Sequence, residues 1–128
     1  MTPLARRAWL AVGGGVAIQL LITSLPGRDV PISVGHPWDW FVHARMYGGL
    51  AFLVVRAATL SGWGPVRRRL VWLGVALSAY GALDEVHQLF IAGREGSPSD
   101  WVFDTMGVAA GLFLGSWLMA SKVAKWLR

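Results

Sequence analysis

The chain has 128 residues, 55% of them hydrophobic and 15% charged, with a formal charge of +5. An average soluble chain carries roughly 25% charged residues, so the composition argues for a membrane protein and against a water-facing globule. There is no cysteine, which excludes disulfides, thiolate metal sites and cysteine nucleophiles. The basic residues flank apolar runs and form no interleaved face, which argues against a nucleic-acid partner.

The length fits one domain, residues 1–128. A first apolar run, 8–25, follows Arg6 and Arg7 and is just long enough to span a bilayer. Pro26-Gly27-Arg28 follows it with no small-x-small cleavage pattern, so it reads as an uncleaved helix and not a signal peptide. The stretch 26–38 is rich in Pro and Gly and reads as a loop. Trp38 and Trp40 mark the return to the interface, where indoles concentrate. A second helix is expected over 39–60, with Asp39 and His43 on one face at i, i+4 spacing. The loop 61–69 holds Arg67, Arg68 and Arg69. A third helix is expected over 70–91, ending in Asp84, Glu85, His87 and Gln88. A fourth is expected over 100–121, started by a Ser99-Asp100 cap.

The expected fold is therefore all-α: a polytopic four-transmembrane-helix bundle of the plasma membrane. Arg6 and Arg7, Arg67 to Arg69, and Lys122, Lys125 and Arg128 fall on one side. By the positive-inside rule that side, with both termini, is cytoplasmic. All seven acidic residues and all three histidines then fall toward the outer side. Gly107, Gly111 and Gly115 repeat every four residues and make a packing ridge, either within the chain or as a homo-oligomer contact.

The stretch from Asp84 to Asp104 holds five of the seven acidic residues. Ionisable groups at membrane depth mark function by default, because their insertion must be offset by pairing or use. Asp39, His43, Asp84 and His87 are the candidate catalytic set, with His43 and His87 as acid/base groups and Asp39 and Asp84 orienting them. Glu85, Gln88, Arg94, Asp100, Trp101 and Asp104 are candidate ligand-binding groups; Arg94 has a planar fork suited to phosphate. No cofactor is expected. There is no HExxH-type motif, and His43, His87 and Asp84 would be the ligands if a metal bound. Ser97 and Ser99, beside Pro98, read as turn and cap formers and not as nucleophiles. The same polar set also fits a purely structural role, as interhelical pairs that lock the bundle.

The residues Asp84-Glu85-Val86-His87-Gln88-Leu89-Phe90, then Gly93-Arg94, Ser99-Asp100 and Asp104-x-x-Gly107-x-x-x-Gly111, with Asp39 and His43 upstream, resemble the signature of the VanZ-like family. The family often has Lys where Trp40 stands, Pro where Ala92 stands and Asn where Asp104 stands. The resemblance implies a small multi-helix membrane protein. The family is named for a protein giving resistance to the glycopeptide teicoplanin at the cell envelope. On that basis the outward polar pocket is expected to bind or modify an envelope component, a lipid or glycan headgroup. The alternatives are a structural or accessory membrane subunit and, third, a small proton-coupled transporter. The residues do not decide whether a reaction is catalysed.

Overall fold

A computed structural model describes residues 1–30 and 38–121. Among the described residues there are four α-helices and no strand: α1 Pro3–Thr23, α2 Trp38–Leu60, α3 Arg67–Gln88 and α4 Pro98–Ala120. A short 3-10 turn, Gly27–Asp29, follows α1. His36, Lys122, Lys125 and Arg128, which carry part of the topology argument, lie outside the described residues.

The helix ends differ from the sequence expectation where proline sets them. α1 begins at Pro3, with the Thr2 side chain accepting from the Ala5 amide at 3.2 Å. Proline is preorganised for the first helical position and has no amide to leave unpaired. It draws the start back, so Arg6 and Arg7 lie inside the helix. Pro98 acts in the same way on α4, whose cap is Ser97 rather than Ser99-Asp100. α3 starts at Arg67 and stops at Gln88, three residues before the expected end. The chain then reverses through Gly93, whose φ of 72° is left-handed backbone that glycine adopts freely. Asp84 thus lies four residues, about 6 Å, from the end of its helix, nearer the rim than expected.

α2 and α4 are the most closely packed pair, and they run parallel. His43 meets Asp104, Ala44 meets Gly107, Gly48 meets Gly111 and Val55 meets Gly115, in matching order along both helices. A Cβ on Gly107 would collide with the Ala44 carbonyl, and one on Gly111 with the Gly48 carbonyl. The two backbones therefore touch, as small-residue interfaces permit. The glycine ridge of α4 is buried here, within the chain.

α1 and α3 flank this pair and run antiparallel to it. Leu50 and Leu53 of α2 lie beside Gly15 of α1, and the Trp9 indole donates to Ser61 Oγ at 3.0 Å. On the other side Ser78 and Thr105 share a 2.8 Å hydrogen bond between α3 and α4. The arginines of α1 and of the start of α3 consequently share one end of the bundle. The seven acidic residues lie toward the other.

The interior is small. Tyr47, Ala51, Val55, Val108, Leu112 and Met119 form its apolar centre, while larger apolar side chains face outward: Phe113 is 74% exposed, Leu10 69% and Leu83 68%. α4 is long and apolar enough by itself to cross a membrane. α2 includes Asp39, Arg45 and Arg56, and α3 includes Arg67 to Arg69, Asp84 and Glu85, which dilute their apolar character.

Replacing Gly111 by Val should drive α2 from α4 and cost about 1–3 kcal/mol, the usual penalty of overpacking. Gly13→Ala, with nothing within 4 Å of the added methyl, should be neutral or slightly stabilising. Unfolding of both variants in detergent checks the contrast; equal stability would remove the backbone contact as the organising feature.

Candidate functional site

The polar groups of three helices meet at the acidic end of the bundle. His43 stands one turn and a half into α2, directly above the Ala44–Gly107 contact. Its Nδ1–H donates to Asp104 Oδ1 at 3.0 Å. The same nitrogen is 3.9 Å from Glu85 Oε1, and on the other edge of the ring Nε2 is 3.9 Å from Asp100 Oδ2. One imidazole thus faces carboxylates from α3 and α4.

Burial sets the electrostatics. Asp104 is fully buried, Asp84 is 3% exposed and Glu85 is 6% exposed. Buried carboxylates are costly unless paired and hydrogen-bonded, and most of this set has partners. The Tyr47 hydroxyl donates to Asp84 Oδ2 at 3.1 Å. Glu85 Oε2 accepts from the Ser97 amide at 2.8 Å, which places a carboxylate at the start of α4, where the helix dipole favours negative charge. Gln88 Nε2 donates to Glu85 Oε1 at 3.3 Å. Arg94 donates through Nε and Nη2 to Gln88 Oε1, at 3.1 and 2.6 Å. Three oxygens in this region are buried without a hydrogen-bond partner: Asp84 Oδ1, Asp100 Oδ1 and Asp104 Oδ2.

A cavity of about 700 Å³ opens beside the cluster. His43, Asp84, Gln88, Arg94 and Asp100 line it together with Asp39, Tyr47 and Glu95. Ile22, Val42 and Met46 supply an apolar wall, and Gly27, Val30 and Gly93 the rim. The rim is held where the Gly27 amide donates to the Ala92 carbonyl at 3.0 Å. A second cavity of about 430 Å³ lies at the arginine end between α2 and α3 and is walled mainly by apolar groups such as Trp63, Trp72 and Leu73.

The sequence-predicted residues are distributed unevenly. His43, Asp84, Gln88, Arg94, Asp100 and Asp39 share the cavity, and Glu85 and Asp104 stand behind it against His43. His87 does not join them: its Nε2 lies 3.4 Å from Ser24 Oγ at the end of α1. Trp101 is also elsewhere, its indole donating to the Ser78 carbonyl of α3 at 3.0 Å. Within the set the pairing differs from expectation. His43 is held by Asp104 rather than Asp39, whose Oδ1 accepts from the Trp40 amide at 2.9 Å. Asp84 pairs with Tyr47 rather than His87 or Arg94. Tyr47 is the main residue that sequence reasoning left without a role. It lies one turn beyond His43 on the same face, and that spacing was the signal for it.

The family model for VanZ/LLP1 matches residues 19–119. The chain belongs to the VanZ/LLP1 family. No curated protein and no solved structure is significantly similar to it. VanZ proteins are generally membrane-associated. The matched segment contains the whole cavity lining and all of the His43 cluster, so in this VanZ protein the family region and the polar site coincide.

Tyr47→Phe removes the donor to Asp84 and should destabilise the protein by about 1–3 kcal/mol, the cost of leaving a buried acceptor unpaired. Tyr80→Phe, whose hydroxyl has no hydrogen-bond partner, should change stability much less. Parallel thermal unfolding of the two variants measures the difference.

Proposed function

We propose that this VanZ-family chain spans the plasma membrane four times, with both termini cytoplasmic, and that its cavity takes the polar headgroup of a cell-envelope lipid or glycan from the outer side. The observation that carries the reading is the composition of the cavity wall. A histidine held by a buried carboxylate, an arginine and several acids face an apolar wall, within a volume suited to a headgroup and the first part of its tail. Pockets of this kind combine a mostly apolar lining with a few placed polar groups.

The four-span topology is supported by the sorting of charge, with the arginines of α1 and of the start of α3 at one end and the acids at the other, and by the outward-facing apolar side chains on α1, α3 and α4. In water such a surface would drive aggregation. In lipid it is the required solvent contact. His43 is the group best placed to exchange a proton or bind the headgroup, with Asp104 holding its ring. Arg94 would meet an anionic group such as phosphate at the rim. A contribution to glycopeptide resistance belongs to the same proposal and is measured as a change in susceptibility on deletion.

One set of observations favours a second reading, a lock that only fixes the helices. Glu85, Gln88, Arg94 and Ser97 pair with one another, and Tyr47 pairs with one oxygen of Asp84, without any ligand.

Because the chain contains no cysteine, topology can be read from single introduced thiols. Glu95→Cys should react with a membrane-impermeant maleimide added to intact cells, and Gly62→Cys only after the membrane is opened; the reverse pattern, or equal labelling, rejects the orientation.

For the pocket, the purified protein in mild detergent should be stabilised by phosphatidylglycerol, a polyprenyl phosphate or a glycopeptide. A ligand at about a hundredfold its Kd adds about 2.7 kcal/mol. His43→Ala should abolish that stabilisation, and should also lower the ligand-free melting point because it removes the donor to the buried Asp104. Loss of ligand-free stability, with no ligand effect in the parent, would instead establish the lock.

A further inference from the structure

We propose that His43, Glu85 and Asp104 form a binding site for a divalent transition-metal ion of the zinc or manganese class. The three side chains come from three different helices, α2, α3 and α4, and one ligand atom from each lies within 4.8 Å of the others. The His43 Nδ1 distances, 3.0 Å to Asp104 Oδ1 and 3.9 Å to Glu85 Oε1, are given by the contacts above. Metal–nitrogen and metal–oxygen bonds of about 2.0–2.2 Å at tetrahedral angles put neighbouring ligand atoms roughly 3.3 Å apart. Small adjustments of side chains already in place bring these three atoms to that spacing.

Two observations besides the cluster point to a cation. Asp104 is fully buried and its Oδ2 has no hydrogen-bond partner. Asp84, 3% exposed and on the wall of the adjoining cavity, likewise leaves Oδ1 unpaired. Three carboxylates, Glu85, Asp100 and Asp104, stand around one imidazole, while the nearby arginine, Arg94, is committed to the Gln88 carbonyl. Negative charge gathered in a buried site needs compensation, and a divalent ion supplies more than a single histidine can.

The ring orientation suits a ligand. To coordinate through Nδ1, His43 gives up the proton it now shares with Asp104 and carries its hydrogen on Nε2. That nitrogen faces Asp100 Oδ2. A carboxylate behind the far nitrogen of a metal-bound histidine fixes the tautomer and strengthens the ligand. The Ser97 amide and Gln88 hold Glu85 in the same way. One imidazole with two carboxylates suits zinc or manganese, whereas calcium and magnesium favour all-oxygen shells. Three protein ligands leave at least one position for water or an incoming group.

The site rests on ligand geometry and does not need the cavity to hold a headgroup, so failure of headgroup binding would leave it standing. The test uses the full chain in mild detergent, stripped with chelator and dialysed against zinc, manganese, calcium or magnesium chloride. Elemental analysis and calorimetry should find stoichiometric zinc or manganese and weak or no calcium or magnesium. Glu85→Gln and Asp104→Asn should each weaken binding by about tenfold or more, with helical circular dichroism unchanged. Asp29→Asn, an exposed acid paired with Arg28, should bind like the parent. No bound metal in the parent, or equal binding by the two ligand variants, overturns the proposal. If those variants do not fold, the cobalt-loaded parent decides. Visible bands of a four- or five-coordinate nitrogen–oxygen site support the assignment, and the spectrum of the hydrated ion rejects it.

Discussion

The backbone contact between α2 and α4 fixes everything above it. A helix pair separated by ordinary side chains lies 8–10 Å apart. With Gly107 against Ala44 and Gly111 against Gly48, no side chain intervenes at either crossing. His43 and Asp104 are the residues just beyond the last of these contacts, toward the acidic end. Their side chains are short, and they meet at 3.0 Å because the backbones have been brought so close. The parallel run of the two helices matters as well. It keeps both of their N-terminal ends, with Asp39 and Asp100 in the first turns, at the same end of the bundle.

α3 then completes the site from the opposite direction. Its C-terminal turn carries Asp84, Glu85 and Gln88 to the same level, each buried. Gly81 faces the site, where an added Cβ would make ordinary contact, 3.4 Å, with Asp104 Oδ2 and the Tyr47 ring. The site is thus assembled from a close helix pair and one antiparallel neighbour. His43, Asp84, Glu85, Gln88, Asp100 and Asp104 all lie on helices. Positioning from rigid elements is what a binding or catalytic group needs, and it is equally what a lock needs, which is why stability and ligand response must be separated by experiment.

Much of this was legible in the sequence. The four apolar runs gave four helices, and the acidic end was marked by Asp84 through Asp104. The i, i+4 spacing placed Asp39 and His43 on one face of α2. What spacing along one helix cannot encode is which face meets which. His87 follows Glu85 by two residues, and two residues on a helix are about 200° apart, so the turn that buries Glu85 sends His87 toward Ser24. Asp39 and Asp104 were both plausible partners for His43 by type, and only the glycine contact with α4 decides between them. The early end of α3 was equally hidden, because the reversal at Gly93 depends on a packing partner, the Gly27 loop, far away in sequence.

The relay from Arg94 through Gln88 to Glu85 gives the rim a physical connection to the buried cluster. An amide side chain can present either its oxygen or its nitrogen to a neighbour. Arg94, a donor only, holds the Gln88 oxygen on its own side and thereby turns the NH2 group toward Glu85 Oε1. Were Arg94 drawn away, that constraint would be released. Gln88 would then be free to rotate, and Glu85 would lose a donor while keeping the Ser97 amide. The rim arginine and the carboxylate beside the imidazole are thus joined through two hydrogen-bonding steps, Arg94 to Gln88 and Gln88 to Glu85.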